Sequence, residues 1–265
     1  MLRNYLFLLL LPFFACETPS GGSAEAPADS PRDFYQLKVY QFDSEAQQSH
    51  TDEYLASAYL PALKRLKINS VGVFKNLLSE EDSVRKTYVL IPFSSMEQFA
   101  ELEDKLFADQ AHLDAGKAYL EAAHDEPPYQ RIESMVLRAF ADMPVMSPSP
   151  VEGPRAERIY ELRSYEAATE ELYRRKVDMF NAGGEIKLFE RLGFNAVFYA
   201  EVLSGPKTPN LMYMTTFDNR ETRDGKWKEF VADPEWETLK AVEKYQNTVS
   251  HADIMLLYPT DYSDY

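Results

Sequence analysis

The chain has almost no cysteine, and this scarcity excludes several kinds of protein. Cys16 is the only cysteine among 265 residues, so no internal disulfide can form. The four histidines stand in no HxH or HExxH spacing, and no Cys-x-x-Cys pair exists, so we predict no metal site. A P-loop, a Rossmann glycine pattern and a Gly-x-Ser-x-Gly elbow are also missing from the sequence, which removes the common nucleotide-binding and hydrolase signatures.

Basic residues are outnumbered as well. The chain has 28 Lys and Arg against 43 Asp and Glu, a formal net charge of −15. No basic stripe interleaves with aromatic residues, so binding to nucleic acid and to anionic lipid headgroups is disfavoured. The acidity by itself indicates solubility rather than a particular partner.

The longest apolar run covers residues 5–14, and it is too short to cross a bilayer as a helix. One arginine precedes it and Ala15 follows it, the pattern of a secretory signal over residues 1–15. The run resembles a bacterial lipoprotein signal, with Phe13 where leucine is usual. This resemblance implies that Cys16 is lipidated and that the protein is anchored in the bacterial cell envelope, periplasmic or at the outer membrane. An ordinary signal peptide with an incidental cysteine is the alternative.

Residues 16–32 follow the signal and are rich in Pro, Gly, Ser and Ala, with no bulky apolar side chain. Such a segment cannot bury enough surface to offset the entropy lost on ordering. We therefore predict a flexible tether between the lipidated cysteine and the folded part.

The rest of the chain contains an internal sequence repeat. Residues 34–40 (FYQLKVY) recur 125 positions later as 159–165 (IYELRSY). Residues 63–71 (LKRLKINSV) recur 126 positions later as 189–197 (FERLGFNAV). This period is far longer than the 20–50 residues of a solenoid repeat, so the sequence predicts a duplicated domain.

The duplication sets the predicted domain boundaries. A first repeat covers residues 33–140 and a second covers 157–260, and the proline-rich segment 141–156 is a semi-rigid linker. On the same alignment Tyr88 corresponds to Tyr213. Each repeat has the order β-α-β-β-α-β, which gives a four-stranded antiparallel sheet with both helices on one face. Two copies can cover each other's open face, sheet against sheet, and leave a cleft between the repeats as the default ligand site.

Alternation along the first strand of the second repeat separates two faces. Leu162 shares one face with its alternate neighbours, and we expect this face to pack on the helices. Glu161, Arg163 and Tyr165 share the other face, and we expect it to look into the cleft. A carboxylate, a guanidinium and a phenol there would bind an anionic or carbonyl-bearing ligand, with Arg163 as the fork-shaped donor. An internal Glu161–Arg163 ion pair that only sets the packing of the sheets is the alternative.

A glycine pair, Gly183 and Gly184, interrupts a helical stretch over residues 170–192. Each glycine weakens a helix by about 1 kcal/mol relative to alanine, which indicates a kink or a close approach of the backbone. Glu185 would reach the mouth of the cleft from there, and Asn181 joins it as a ligand-binding candidate. A simple helix break with a solvated Glu185 remains open.

The other aromatic residues and the histidines are interpreted as structural or surface residues. Trp227, Phe230 and Trp236 follow helical spacing, which is more typical of core than of a cofactor site. No cofactor is predicted. A single histidine such as His124 or His251 could be an axial ligand of haem, but a place in a loop or on the surface is the preferred interpretation.

The second repeat resembles the NIPSNAP family over about residues 158–258. The resemblance is carried by ordered stretches at 160–165 (YELRSY), 179–185 (MFNAGGE), 188–195 (LFERLGFN), 205–206, 209–214 (PNLMYM), 227–230 and 233–236. It implies an α+β fold in which two tandem ferredoxin-like βαββαβ repeats form an intramolecular dimeric α+β barrel. The first repeat is a degenerate copy, with Gln36 and Lys38 in place of the Glu and Arg, so a site built from those groups would be one-sided.

Three functional hypotheses remain open. The leading one is a small-molecule-binding or interaction module that uses the cleft between the repeats, with Glu161, Arg163, Tyr165, Asn181 and Glu185 as ligand-binding residues. The first alternative is an oxygenase or isomerase of the α+β-barrel type, acting on a small aromatic or carbonyl compound with Tyr165 or Glu185 transferring the proton. The second is a scaffold that binds another protein through its acidic helical surface. Assembly into a homo-oligomer is a further expectation.

Overall fold

In the part of the chain that the structure describes, eight strands rich in β-branched and aromatic residues form the framework. The computed structural model describes residues 31–79, 83–148 and 150–265. The first repeat contributes β1 (Phe34–Phe42), β2 (Gly72–Asn76), β3 (Arg85–Phe93) and β4 (Arg131–Ala139). The second contributes β5 (Ile159–Glu166), β6 (Ala196–Ser204), β7 (Asn210–Phe217) and β8 (His251–Pro259). The predicted signal peptide, the predicted lipidation at Cys16 and nearly all of the predicted tether lie outside the described residues.

Helices connect the strands within each repeat. The first repeat has α1 (Glu45–Tyr54), a π-helical turn (Leu55–Tyr59), α2 (Leu60–Arg65), α3 (Met96–Ala100), α4 (Leu102–Ala108) and α5 (Gln110–Leu120). The second has α6 (Glu170–Phe180), α7 (Glu185–Arg191), α8 (Arg220–Val231) and α9 (Pro234–Lys240). Side-chain oxygens of Ser44, Thr169 and Asn219 cap α1, α6 and α8 by accepting an exposed N–H of the first turn. Over the described ranges, no helix has the length and apolar character needed to span a bilayer.

The strands close into one antiparallel barrel in the order β1-β3-β2-β8-β5-β7-β6-β4. Each repeat supplies a four-stranded ferredoxin-like sheet, β4-β1-β3-β2 or β8-β5-β7-β6. Two seams, β2 with β8 and β4 with β6, join the repeats edge to edge. The predicted α+β fold with an intramolecular barrel is therefore confirmed.

The inside of the barrel holds the leucine-bearing faces of the strands. Leu37 and Leu162 are fully buried there in one apolar cluster drawn from both repeats. The opposite face of β5, with Glu161 and Arg163, lies under the helices of the second repeat. The predicted assignment of faces is therefore wrong. Both faces of these sheets exclude water, so alternation separates two faces without saying which one meets the helices.

The alignment of Tyr88 with Tyr213 is wrong by one residue. Lys38 pairs with Val89 across β1 and β3, whereas its counterpart Arg163 pairs with Tyr213 across β5 and β7. Val89 is thus the structural equivalent of Tyr213. A shift of one residue exchanges the two faces of a strand, and accordingly Tyr88 belongs to the barrel interior while Tyr213 faces the helices.

Candidate functional site

A pocket of about 520 Å³ lies between the outer face of the second-repeat sheet and its helices. Its apolar wall includes Phe189, Trp227, Phe230, Trp236 and Val249. Its polar lining consists of Arg163, Tyr165, Lys176, Glu185, Tyr213 and Arg223. We call this space the helix-side pocket.

Glu161 is the centre of the polar network beneath this pocket, and no part of its surface reaches solvent. Its carboxylate accepts hydrogen bonds from Arg163 Nε at 2.7 Å and from Trp227 Nε1 at 2.6 Å. Arg223 donates to both carboxylate oxygens, through Nε at 2.9 Å and Nη2 at 2.7 Å. Burial alone would raise the pKa of Glu161, but the hydrogen bonds from Arg223 and the charges of both arginines outweigh it and lower that pKa.

Arg163 is held on several sides by groups of fixed position. Its guanidinium carbon lies 3.6 Å from the centre of the Trp227 ring, a cation–π contact. Its Nη1 donates to the Tyr165 hydroxyl at 2.8 Å, which lies 2.9 Å from the Tyr213 hydroxyl. Burial raises the pKa of Tyr213 well above its ordinary value, so this phenol stays protonated. The result is a preorganised guanidinium at the edge of an apolar pocket.

A second buried charge pair closes another side of the pocket. Lys176 Nζ on α6 donates to Glu185 Oε2 at the start of α7 over 2.7 Å, and both side chains are almost inaccessible to solvent. The ammonium also lies 4.7 Å from the ring centre of Phe180 and 5.8 Å from that of Trp236. A buried lysine is stable only with such compensation, so the two charges depend on each other.

The glycine pair positions Glu185 by breaking the helix. The helix α6 ends at Phe180, and α7 begins at Glu185 after Gly184, whose φ of +89° favours glycine. A Cβ on Gly183 would lie 2.6 Å from the carbonyl oxygen of Met179 and 2.9 Å from the Tyr245 hydroxyl. The predicted close approach of the backbone is present there, and it turns Glu185 inwards rather than into solvent.

Four of the five predicted ligand-binding residues come together here. Glu161, Arg163, Tyr165 and Glu185 belong to the network or the lining of the helix-side pocket, not to the cleft between the repeats where we expected them. Asn181 does not join them. Its Oδ1 accepts the backbone N–H of Asp142 at 3.0 Å and its Nδ2 donates to the Val177 carbonyl at 2.8 Å, so it ties the linker to the end of α6.

Sequence reasoning missed several residues of this pocket. Lys176 shares the buried side of α6 with Met179 and Phe180, and a lysine on an otherwise apolar helix face was the available signal. Arg223 and Trp227 lie one helical turn apart on α8, a spacing that puts them on one face. Trp227 was assigned to the core, and it does pack against Phe189 and Phe194, but it also binds Glu161 and lines the pocket.

Histidines play no part in the lining of this pocket. His124 is almost fully exposed, and His251 Nε2 lies 3.0 Å from Asp253 Oδ1 at the start of β8. Within the described part of the chain, Glu166, His251 and Asp253 form one group whose possible metal-ligand atoms lie within 4.8 Å of one another. The Lys207 ammonium already bonds Asp253 and lies 3.6 Å from Glu166, so a cationic side chain takes the place that a metal ion would need.

Comparison with known proteins supports the fold and the relationship of the second repeat. The NIPSNAP family model matches residues 160–264, which confirms the resemblance predicted for that repeat. No curated protein is similar enough to match the chain.

Solved structures resemble the whole barrel. One is a candidate monooxygenase from Lactobacillus acidophilus, with a TM-score of 0.53, 11% identity, and coverage of 86% of this chain and 94% of that chain. Another is a candidate monooxygenase from Fusobacterium nucleatum, with a TM-score of 0.52, 8% identity, and coverage of 87% and 93%. A third is an anthrone oxidase-like protein, with a TM-score of 0.52, 13% identity, and coverage of 88% and 93%. At these identities the likeness shows the fold alone.

Proposed function

We propose that the second repeat, which the NIPSNAP family model matches over residues 160–264, binds a small molecule in the helix-side pocket. The ligand has an apolar, ring-sized body and carries a carbonyl or anionic group. Its body packs against Phe189, Trp227 and Trp236, and its polar end meets the guanidinium of Arg163 and the hydroxyl of Tyr165. Pockets that combine an apolar wall with a few convergent polar groups are the usual form of small-molecule sites.

The observation that carries this proposal is the way Arg163 is held. A guanidinium that served only to neutralise Glu161 would be redundant, because Arg223 already binds both oxygens of that carboxylate. Arg163 is instead stacked on Trp227, bonded to Tyr165 and placed in the wall of the pocket. Its Nε and Nη2 both lie 2.7 Å from Glu161 Oε1, so the Nη1 end beside Tyr165 is the part of the guanidinium that would meet a carbonyl or carboxylate oxygen.

Tryptophan emission gives a test of this pocket, because both tryptophans of the chain line it. The probes are 3-phenylpropionate, 4-phenyl-2-butanone and, as a cationic comparison, 3-phenylpropylamine. We expect the acid and the ketone to change the emission saturably and the amine to do so far more weakly. Arg163→Met should weaken binding of the acid at least tenfold, which corresponds to about 1.4 kcal/mol.

Lys38→Met is the matched control, since Lys38 occupies the equivalent position in the first repeat. It should leave the titration unchanged. Unfolding in urea should stay cooperative in both variants, because Glu161 keeps Arg223 and Trp227 as partners when Arg163 is replaced. Equal binding by wild type and Arg163→Met would refute the assignment of the ligand's polar end.

An oxygenase or isomerase acting in the same pocket is the second candidate function. Two neighbours in fold are candidate monooxygenases and a third is anthrone oxidase-like, and both candidate proton-transfer residues, Tyr165 and Glu185, line the pocket. Oxygen uptake with anthrone as the probe substrate tests this candidate, alongside an absorbance spectrum for bound haem. Uptake that disappears in both Tyr165→Phe and Glu185→Gln would favour catalysis over binding alone.

We also propose that the protein is held at the cell envelope by a lipid on Cys16. Support comes from the sequence, where a short apolar run ends immediately before the only cysteine. Metabolic labelling with an alkyne fatty acid should label the wild type and not Cys16→Ser. A labelled Cys16→Ser protein, or an unlabelled wild type in the membrane fraction, would contradict this anchor.

A further inference from the structure

Side chains fill the barrel interior near one end and leave it open at the other. Large rings fill the closed end, where Phe74 lies 4.7 Å from Tyr160 and 6.0 Å from Tyr265, measured between ring centres. Towards the other end the inward-facing residues are smaller or more flexible, among them Val39 and Met255. A cavity of about 320 Å³ remains there, and we call it the barrel-mouth pocket.

This pocket is made by both repeats together. The first repeat contributes Leu37 and Val39 from β1 and Met135 from β4, and the second contributes Met212 from β7 and Met255 from β8. The cleft predicted between the repeats therefore exists, although none of the five predicted ligand-binding residues lines it. Three methionines give its wall a flexible, polarisable surface that adapts to flat apolar molecules.

A buried hydroxyl stands in this apolar wall. Ser164 is only 4% exposed, and its Oγ accepts a hydrogen bond from Asn210 Nδ2 at 2.7 Å. Within the described residues Ser164 donates no hydrogen bond of its own, and Asn210 Oδ1 has no hydrogen-bond partner. Buried polar groups are normally satisfied, so an uncommitted hydroxyl facing a cavity points to a hydrogen-bonding ligand.

Charges at the rim of the pocket balance each other. Lys207 is bonded to Asp253, and Gln41 Nε2 donates to Glu133 at 3.0 Å. Lys86 and Glu133 add one positive and one negative charge to the rim. Among the described residues that line the pocket, two lysines balance two carboxylates, so an uncharged ligand fits this rim best.

We propose that the barrel-mouth pocket is a second small-molecule site, which takes an uncharged, one-ring molecule bearing a carbonyl oxygen. The ring lies among the three methionines, and the carbonyl accepts the hydroxyl proton of Ser164. A volume near the lower end of the range for ligand pockets limits the occupant to about this size. The site is independent of the helix-side pocket, because the two share no lining residue.

Methyl NMR of the full chain labelled with [methyl-¹³C]methionine tests this proposal, with benzamide as the probe and benzylamine as the comparison lacking a carbonyl. Benzamide should shift the signals of Met135, Met212 and Met255 saturably, while Met179 near Lys176 stays in place. Signals are assigned from single Met→Leu variants. Benzylamine should bind at least tenfold more weakly than benzamide.

Ser164→Ala should weaken the binding of benzamide at least tenfold. Val39→Phe, whose ring fills the barrel-mouth pocket, should abolish binding. The matched control is Ser134→Ala, which removes a strand serine that bonds Gln36 instead of facing this pocket. Unchanged signals of the other methionines show that each variant is folded. The proposal is overturned if benzamide moves none of the three methyl groups up to its solubility limit, or if Ser164→Ala binds it as tightly as wild type.

Discussion

The two repeats share a sheet and a chain order, yet they fill the layer between sheet and helices in opposite ways. In the second repeat, buried charges surround a pocket. In the first, Gln36 replaces Glu161 and donates to Ser134 at 2.8 Å, and Lys38 replaces Arg163 with its ammonium 5.1 Å from the centre of the Tyr59 ring. The same backbone frame therefore supports either a polar site or an aromatic core.

Aromatic rings occupy the first repeat where the second keeps charge. Tyr54 stacks on Tyr119 with ring centres 3.9 Å apart, and its hydroxyl lies 3.0 Å from Nε2 of the buried His112. Counted from the equivalence of 63 with 189, Tyr59 takes the place of Glu185, at the end of the π-helical turn. Burying large rings stabilises a fold without the desolvation cost of buried ions. Duplication thus lets one copy serve stability while the other keeps its buried charges.

The largest difference between the repeats should appear when the central carboxylate is removed. Glu161→Gln leaves the buried Arg163 without a counter-charge and Arg223 with only Asp224, and it should lower the free energy of unfolding by about 3 kcal/mol. Gln36→Leu at the equivalent position removes one neutral hydrogen bond and should cost about 1 kcal/mol or less. Urea unfolding with constant m-values checks both. Equal losses in the two variants would mean that Glu161 is no more than a packing residue.

The second expected effect concerns Lys176 and Glu185. Lys176→Met should lower the free energy of unfolding by about 3 kcal/mol, because it leaves the buried carboxylate of Glu185 without a counter-charge. Adding Glu185→Gln should restore much of that loss. The exposed pair Arg175 and Glu171, at 3.0 Å on the same helix, is the control and should couple by about 0.5 kcal/mol or less. A double-mutant cycle measures both couplings. Additive effects at Lys176 and Glu185 would contradict mutual dependence of the buried charges.

Much of the fold was predictable from the sequence because the patterns that indicate strands and helix ends are local and occur in both repeats. The alternation of β1 recurs in β5, and the helix ends carry Ser44 and Thr169 at equivalent capping positions. The order of elements then leaves few ways to bury both sheet faces, and the closed barrel is the one observed.

The site was predictable only in part. Polar residues on a strand and a glycine pair single out Glu161, Arg163 and Glu185 from the amino-acid sequence alone. Which face of β5 meets the helices depends on contacts more than 60 residues apart along the chain, such as Trp227 with Glu161, and alternation carries no information about them. The position of Asn181 outside the pocket could not be predicted for a related reason, since its partner Asp142 lies in the linker.

The smallest expected effect is a dependence on pH that belongs to the second repeat. The folded-state pKa of Glu161 is lowered, so the unfolded chain binds a proton more readily than the folded chain. The stability contributed by this ionised carboxylate is fully present above the unfolded pKa of about 4.3, and it is lost as the pH falls towards the folded pKa.

The difference in unfolding free energy between wild type and Glu161→Gln should therefore be constant between about pH 5 and 7 and should shrink below about pH 4. Other carboxylates also titrate there, among them Asp178 with its lowered pKa, but they are common to both proteins and cancel in the difference. Gln36→Leu removes no ionisable group, so its difference from wild type should stay level over the same range. Urea midpoints at intervals from about pH 3 to 7 make the comparison. A difference for Glu161→Gln that stays level in acid would show that the two arginines do not stabilise the ionised form of the buried carboxylate.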